Sequence, residues 1–140
     1  MIFLDTSVLF AVAQVSHMHH KPSRDLWNQC SRREAAINTH TLAELYNVLT
    51  SMPKGLRLSP RNTEVAIQTF LARVTPIALS VEEYEAVIRA ASGLGVAGGS
   101  IYDALHVACA RKVEAERIYT WNVRHFQLVA PDLTGRIMTP

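Results

Sequence analysis

The sequence predicts an α/β fold of three layers, in which a mostly parallel central sheet of four to five strands is flanked by helices. Short apolar segments of strand-like composition alternate along the chain with longer segments whose apolar residues recur at helical spacing. Strands that alternate with helices pair in parallel, because each helix returns the chain to the same end of the sheet. The 140 residues suffice for one core, so we expect a single domain over 1–140.

In the first half of the chain, strands are predicted over 2–5 and 35–39, and helices over 6–14, 23–33, 41–52 and 61–71. The second helix follows a break that contains Pro22. The third must stop before Pro53, because a proline disfavours the helical conformation of the residue before it. The fourth follows a Pro/Gly loop and carries Val65 and Phe70 at helical spacing.

In the second half, strands are predicted over 75–79, 118–121 and 128–129, and helices over 80–94 and 100–110. Ser80 and Glu83 have the spacing of a capping box, in which each side chain bonds the other residue's backbone N–H. Four glycines between 93 and 99 give the chain a flexible approach to the helix that starts at Ser100.

Three acidic residues lie at the starts of structural elements, within otherwise apolar segments. Asp5 ends the first strand, Glu44 lies in the first turn of the helix from Thr41, and Asp103 lies in the first turn of the helix from Ser100. A buried carboxylate is costly unless something positive accompanies it. A hard divalent cation such as Mg²⁺ takes oxygen ligands and only a few of them from protein. The three acids are therefore candidate metal ligands.

The predicted topology can bring these acids together. Ligands of parallel sheets gather at the carboxyl ends of the strands, near the point where the strand order reverses. Asp5 follows the first strand, Glu44 comes after the second, and Asn122 follows the strand over 118–121. Asp103 can join them from the helix after the glycines. We expect these four side chains at one edge of the sheet.

Helix capping is an alternative explanation for each acid. Thr41 with Glu44, and Ser100 with Asp103, match the pattern of a hydroxyl residue followed three positions later by an acid. An acid in a first turn is also favoured by the helix dipole. Asp5 can cap the helix that follows it. Capping and metal binding are compatible, because a first-turn acid can also reach across a cleft.

Composition excludes several classes of protein. No apolar run approaches the roughly 20 residues of a membrane helix, and the start of the chain lacks the basic region of a signal peptide, so we expect a cytoplasmic protein with no membrane partner. Cys30 and Cys109 have no metal-binding spacing, and Cys109 is predicted in the core. A net charge of +2 is too small to indicate a nucleic-acid partner. Lys54, Arg57 and Arg124 are either solvated surface or phosphate contacts.

Other catalytic arrangements find little support. The histidines of 17–20 suggest zinc, but one short loop would supply every ligand. An aspartate-nucleophile phosphatase also places an acid after its first strand, yet it would need another acid where this chain has Ser7. No Ser-His-Asp or Cys-His set is apparent. We interpret His106, within the helix of Asp103, as structural or partly buried.

Four segments in order resemble the PIN domain family, and within it the VapC-type toxin ribonucleases. They are the opening Asp-Thr-Ser over 5–7, the helix of Glu44, the segment YDALHVACA over 102–110, and TWNVRHF over 120–126. The resemblance covers nearly the whole chain. It implies a metal-dependent endoribonuclease that is inhibited by a VapB-type antitoxin and is usually a homodimer.

The resemblance also assigns residues. Asp5, Glu44 and Asp103 match the acids that hold Mg²⁺ or Mn²⁺, Ser7 matches a hydroxyl position beside the first acid, and Thr120 matches the polar residue before the fourth position. That fourth position is often Asp in the family and is Asn122 here. The change removes one negative charge, so we expect one firmly held ion. It also leaves open a non-catalytic domain that only binds RNA or protein.

Overall fold

A computed structural model describes residues 1–140 and contains one sheet of five parallel strands. The strands are β1 (Ile2–Leu4), β2 (Ala35–Asn38), β3 (Thr75–Ile77), β4 (Arg117–Tyr119) and β5 (Ile137–Met138). Their order across the sheet is β3-β2-β1-β4-β5, so β1 is central and pairs with β2 on one side and β4 on the other. The strand order reverses at β1, and the crevice of such a sheet therefore opens at the carboxyl ends of β1 and β4.

Seven α-helices connect the strands, and a short 3-10 helix precedes β5. They are α1 (Thr6–Ala13), α2 (His20–Gln29), α3 (His40–Ser51), α4 (Pro60–Leu71), α5 (Val81–Gly93), α6 (Ser100–Lys112) and α7 (Val123–Val129), with the 3-10 helix over Pro131–Arg136. The predicted capping box is present, since the Ser80 side chain accepts from the N–H of Glu83 and the Glu83 side chain accepts from the N–H of Ser80. No helix is long and apolar enough to cross a membrane.

The core has two halves, one on each face of the sheet. Phe3 and Leu4 are neighbours on β1 and are both fully buried, but they face opposite sides because side chains alternate along a strand. Leu4 packs with Leu45 and Leu49 of α3 and with other residues from α1, α2 and α4. Phe3 packs with residues of α6 and α7, and Cys109 is buried there as predicted. The fold is therefore the predicted arrangement of three layers.

Two elements depart from the sequence predictions by more than two residues. The helix expected over 23–33 begins at His20 and ends at Gln29, because Pro22 lies in its first turn, where no intrahelical N–H bond is lost. The strand predicted at 128–129 is wrong. Those residues end α7, where Phe126 faces the core and Leu128 is exposed, and the last strand is β5, which pairs with β4. Two apolar residues carry too little periodicity to separate a helix end from a strand.

Leu49→Ala should lower the free energy of unfolding by about 2–5 kcal/mol, the usual cost of emptying a buried leucine site. Leu49 is 0% exposed and lies in the core of the α1–α4 face. Urea unfolding followed by circular dichroism measures the change. Leu128→Ala is the matched control, because Leu128 is 70% exposed. Its change should stay within about 0.5 kcal/mol, and equal losses in the two variants would contradict the packing described.

Candidate active site

Asp5 lies directly after β1 and forms the N-cap of α1, so the capping interpretation holds for this acid. Its Oδ2 atom accepts hydrogen bonds from the Ser7 backbone N–H (3.3 Å), the Ser7 hydroxyl (2.6 Å) and the Thr120 hydroxyl (2.8 Å). Its Oδ1 atom faces the Nε2 atom of His106 at 3.7 Å. One carboxylate oxygen is therefore held by three donors, while the other faces the interior of the site.

Ser7 and Thr120 tie the start of α1 to the residues after β4. The Ser7 hydroxyl accepts from the backbone N–H of Trp121 (3.0 Å), and the Thr120 hydroxyl accepts from that of Asn122 (2.9 Å). Each hydroxyl thus donates to Asp5 and accepts from the neighbouring chain segment. Ser7 was expected beside the first acid, whereas Thr120 was expected only before the fourth position, and its bond to Asp5 is a finding of the structure. The two hydroxyls fix the orientation of the Asp5 carboxylate.

Glu44 approaches from α3. Its Oε2 atom accepts from the Thr6 hydroxyl and from His106 Nε2 (3.0 Å), while its Oε1 atom lies 3.7 Å from His40 Nε2. Burial is the largest single influence on its pKa and raises it. The hydrogen bond and charge of His106, with smaller contributions from Thr6 and His40, outweigh burial and lower the pKa below its usual range. Glu44 is therefore held in its ionised form.

His106 is the basic group inside the acid cluster, a role that the sequence did not indicate. Its side chain is 2% exposed, as a buried histidine was expected to be, but it also contacts Glu44 and faces Asp5. Burial lowers its pKa, yet the hydrogen bond to Glu44 and the charges of Asp5, Glu44 and Asp103 raise it overall. The available signal was spacing: a residue three positions after Asp103 lies on the same side of a helix.

The Nδ1 atom of His106 has no hydrogen-bond partner, although it is buried. A buried polar atom without a partner is costly. The hydrogen bond that the ring makes to the acid cluster is through its other nitrogen, to Glu44.

Asp103 is the acid whose charge is least neutralised. Burial, followed by the negative charges of Asp5 and then Glu44, raises its pKa to about 6, although His106 and His125 act in the opposite direction. The side chain is 16% exposed, and the one basic side chain within 4 Å is the imidazole of His125, 3.8 Å from Oδ2. Asp103 is therefore the group that would gain most from an added cation.

The capping explanation is wrong for the other two acids. Helix α3 begins at His40, so Glu44 lies beyond its first turn, and the buried Thr41 does not cap it. Helix α6 has Gly99 at its N-cap and no capping side chain, so Ser100 and Asp103 do not form a box. Glu44 bonds His106 rather than its own helix end, and Asp103 is close enough to Asp5 and Glu44 for their charges to raise its pKa.

The remaining predicted residues lie at varying distances from the acids. Asn122 and Arg124 are exposed at the start of α7, and Asn122 makes no capping bond. Lys54 and Arg57 are exposed in the loop between α3 and α4. That loop is bonded to the far end of α1 through Gln14 Nε2 and the carbonyl of Leu56. An eight-residue helix spans about 12 Å, so the structure does not bring Lys54 and Arg57 to the acids.

The donor chemistry of the cluster fits a divalent cation. Asp5 Oδ1 and the Asp103 carboxylate accept no hydrogen bond from the protein, whereas Glu44 accepts two, both through Oε2. Carboxylate oxygens are the ligands that Mg²⁺ and Mn²⁺ take. No three His, Cys, Asp or Glu side chains stand ready as a complete ligand set. The histidines over 17–20 form no such group either.

Asp103→Asn should stabilise the metal-free protein by roughly 1–2 kcal/mol at pH 7, after allowance for solvent screening. A raised carboxyl pKa penalises the folded state once the unfolded chain has lost its proton. The gain should therefore be absent below pH 3.8 and reach its full size above about 6. Chemical unfolding with a chelator present, at several pH values, measures it.

Asp132→Asn is the control, because Asp132 is paired with Arg111 and its pKa is lowered. That substitution should give no stabilisation at any pH. A destabilised Asp103→Asn protein at pH 7 would show that the carboxylate is already balanced.

Comparison with known proteins identifies the family to which the chain belongs. The family model described as PIN domain matches residues 2–130. Ribonuclease VapC27 of Mycobacterium tuberculosis H37Rv is 35% identical over 114 residues, which are 81% of this chain and 79% of that protein. The crystal structure of Mycobacterium tuberculosis VapC20, described as a sarcin-ricin loop cleaving toxin, has a TM-score of 0.73 at 20% identity over 89% of this chain and 92% of that one.

A further structure, VapBC-1 from nontypeable Haemophilus influenzae, has a TM-score of 0.67 at 20% identity and covers 99% of this chain and 98% of that one. At these identities the solved structures establish the fold, while the family model and VapC27 establish the relationship in sequence. The predicted resemblance is confirmed: the chain belongs to the PIN domain family, and its relatives there are VapC-type ribonucleases.

Proposed function

We propose that this protein is a metal-dependent endoribonuclease that hydrolyses RNA phosphodiester bonds as the toxin of a type II toxin-antitoxin pair. The observation that carries the proposal is the convergence of Asp5, Glu44 and Asp103 at the crevice of the sheet, with a negative charge that His106 only partly balances. A relative named as a ribonuclease, 35% identical to the chain, supports the same activity.

In this proposal Asp5 and Asp103 are the ligands of Mg²⁺ or Mn²⁺. A bound divalent ion makes water more acidic and neutralises charge that develops on the phosphate. Asp5 presents Oδ1, because Ser7 and Thr120 hold Oδ2. Asp103 must lose its proton to bind the ion. Because its pKa is raised to about 6, part of the protein still carries that proton near neutral pH and releases it when the ion binds.

Glu44 is a third ligand or the base that orients the attacking water. The hydrogen bond from His106 keeps Glu44 ionised and limits its motion, since the contact to Oε2 is 3.0 Å. A general base must be ionised and positioned before it can accept a proton. His106 is then a positioning residue that acts through Glu44.

The polar residues beside the acids have supporting roles in this proposal. Asn122 orients water or the ion through its amide. Because the fourth position is an amide and not a carboxylate, the site holds one ion firmly and does not recruit a second. Arg124, exposed two residues later on α7, contacts a phosphate of the RNA. Lys54 and Arg57, a helix length away, can contact only RNA remote from the cleaved bond.

The partners follow from the same relationship. In this proposal residues 1–140 form a single domain, and a VapB-type antitoxin would block its crevice. Solved structures with this fold include VapBC-1 and the VapBC2 complex of Rickettsia felis bound to promoter DNA. A homodimer is part of the proposal by analogy with the family.

A non-catalytic domain that binds RNA or a partner protein remains the second candidate, because Asn122 replaces an acid at the fourth position. Metal uptake separates the two candidates. A domain that only binds RNA or protein does not need three converging carboxylates. Their arrangement is costly, because burial and then the charges of Asp5 and Glu44 raise the pKa of Asp103.

Asp5→Asn or Asp103→Asn should reduce RNA cleavage by more than about 100-fold, since even changes to groups around the ligands of a metal cost about 10–100-fold. Purified protein, RNA and either Mg²⁺ or Mn²⁺ suffice for the assay, with chelator as the metal-free arm. Asp132→Asn is the matched control, because it makes the same chemical change at an exposed ion pair. Near-full activity in either site variant would refute the ligand assignment.

Asn122→Asp should tighten Mn²⁺ binding, because it adds a carboxylate oxygen to a site that holds an amide. Titration calorimetry of the chelator-treated protein measures the affinity, and a gain of about tenfold corresponds to roughly 1.4 kcal/mol. The same change at an exposed amide distant from the acids, Gln68→Glu on α4, should have no effect. Affinity that is unchanged or weaker in Asn122→Asp would mean that Asn122 does not face the ion.

A further inference from the structure

Tyr102 is an exposed aromatic residue beside the acid cluster that the proposed chemistry does not use. It immediately precedes Asp103 in the first turn of α6, and 47% of its surface is exposed. Exposed aromatic rings next to a reaction centre are enriched at recognition sites, because a ring buries a large area while losing little conformational freedom.

One face of Tyr102 is covered by His40. The two rings are nearly parallel, at 7°, with centroids 5.0 Å apart. His40 is itself fixed, because its backbone N–H donates to Asn38 Oδ1 (2.9 Å) and its Nε2 atom lies 3.7 Å from Glu44 Oε1. The exposed part of the phenol ring therefore lies at the margin of the acids, stacked on a side chain that faces Glu44.

The second stacked pair near the site differs, because its rings are half-buried and pack against further side chains. His19 stacks on Trp121 with centroids 3.7 Å apart, and Trp121 Nε1 donates to Ser23 Oγ. His17 packs against His19, and Phe10 packs against His17. This row of rings joins the segment between α1 and α2 to the residues after β4. Tyr102 is the stacked ring that combines high exposure with a stacking partner, His40, that faces the acid cluster.

We infer that Tyr102, backed by His40, stacks against an unpaired nucleobase next to the cleaved phosphodiester. This inference rests on the proposed RNA hydrolysis and identifies a residue that selects the substrate. A phosphate held at the acids places the adjoining base at the ring, where stacking requires that the base has left its helix. Stacking on an aromatic face tolerates every base, so Tyr102 selects for an unpaired nucleotide rather than for a sequence.

The test compares Tyr102→Leu, which removes the ring and keeps apolar volume, with Tyr102→Phe, which keeps the ring. Tyr46→Leu is the matched control. Tyr46 is 44% exposed but lies two residues after Glu44, about 200° around α3. The substrates are a single-stranded RNA with a mapped cleavage site and two copies that lack the base on either side of it. The quantity measured is kcat/KM with Mn²⁺.

Tyr102→Leu should lower kcat/KM on intact RNA by about 5- to 150-fold, which corresponds to roughly 1–3 kcal/mol of stacking. Tyr102→Phe and Tyr46→Leu should stay within about threefold of the wild type. One of the abasic RNAs should be cut more slowly by the wild type, and on that RNA Tyr102→Leu should cause no further loss. Equal losses on intact and abasic RNA, or no loss at all, would overturn the inference and leave the nuclease proposal standing.

If the wild type cuts no RNA, the nuclease proposal fails. Binding of the same RNAs, measured by fluorescence anisotropy, then still tests whether a base stacks on Tyr102. Tyr102→Leu should then weaken binding of intact RNA and leave binding of one abasic RNA unchanged. Binding that is insensitive to Tyr102→Leu, or no binding by the wild type, would overturn the inference.

Discussion

The burial of three neighbouring carboxylates, together with the repulsion among them, is the constraint on which this site depends. Asp5, Glu44 and Asp103 meet at the crevice of the sheet, and the only buried basic side chain among them is His106. His106 satisfies Glu44 but leaves Asp103 with a raised pKa. A fold retains such an arrangement at a cost in stability when a ligand repays it, and a divalent cation is the ligand whose charge and oxygen preference fit.

The fold supplies that constraint through its topology. Because β1 is central and β4 is its neighbour, the residues that follow these strands come within hydrogen-bond distance despite a separation of 115 positions between Asp5 and Thr120. The hydroxyls of Ser7 and Thr120 then hold one oxygen of Asp5 and leave the other inward. Helices α3 and α6 bring Glu44 and Asp103 from opposite faces of the sheet. Strand β1 therefore links the core to the site, because Phe3 and Leu4 pack in its two halves and Asp5 follows them directly.

Much of this could be read from the sequence, because alternating strands and helices permit few topologies and the acids stand at their boundaries. The role of His106 could not, since a histidine within an apolar helix has the same pattern whether it fills the core or bonds an acid. Capping patterns at Thr41 and Ser100 were equally ambiguous, and α3 begins two residues, and α6 one residue, earlier than those caps require. Lys54 and Arg57 have the positive charge that a contact to RNA phosphate needs, but they do not lie at the cleft. Their distance from it depends on how far α1 and α3 extend, which the sequence did not settle.

Metal uptake by the chelator-treated protein tests the central claim most directly. Mn²⁺ is titrated near pH 6, close to the pKa of Asp103, in two buffers whose protonation enthalpies differ, so that calorimetry reports both the ions bound and the protons released. The account predicts one ion per chain and the release of about half a proton, because Asp103 is half protonated there. No uptake at millimolar Mn²⁺, or uptake without proton release, would contradict the claim that the unbalanced negative charge of these acids forms a cation site.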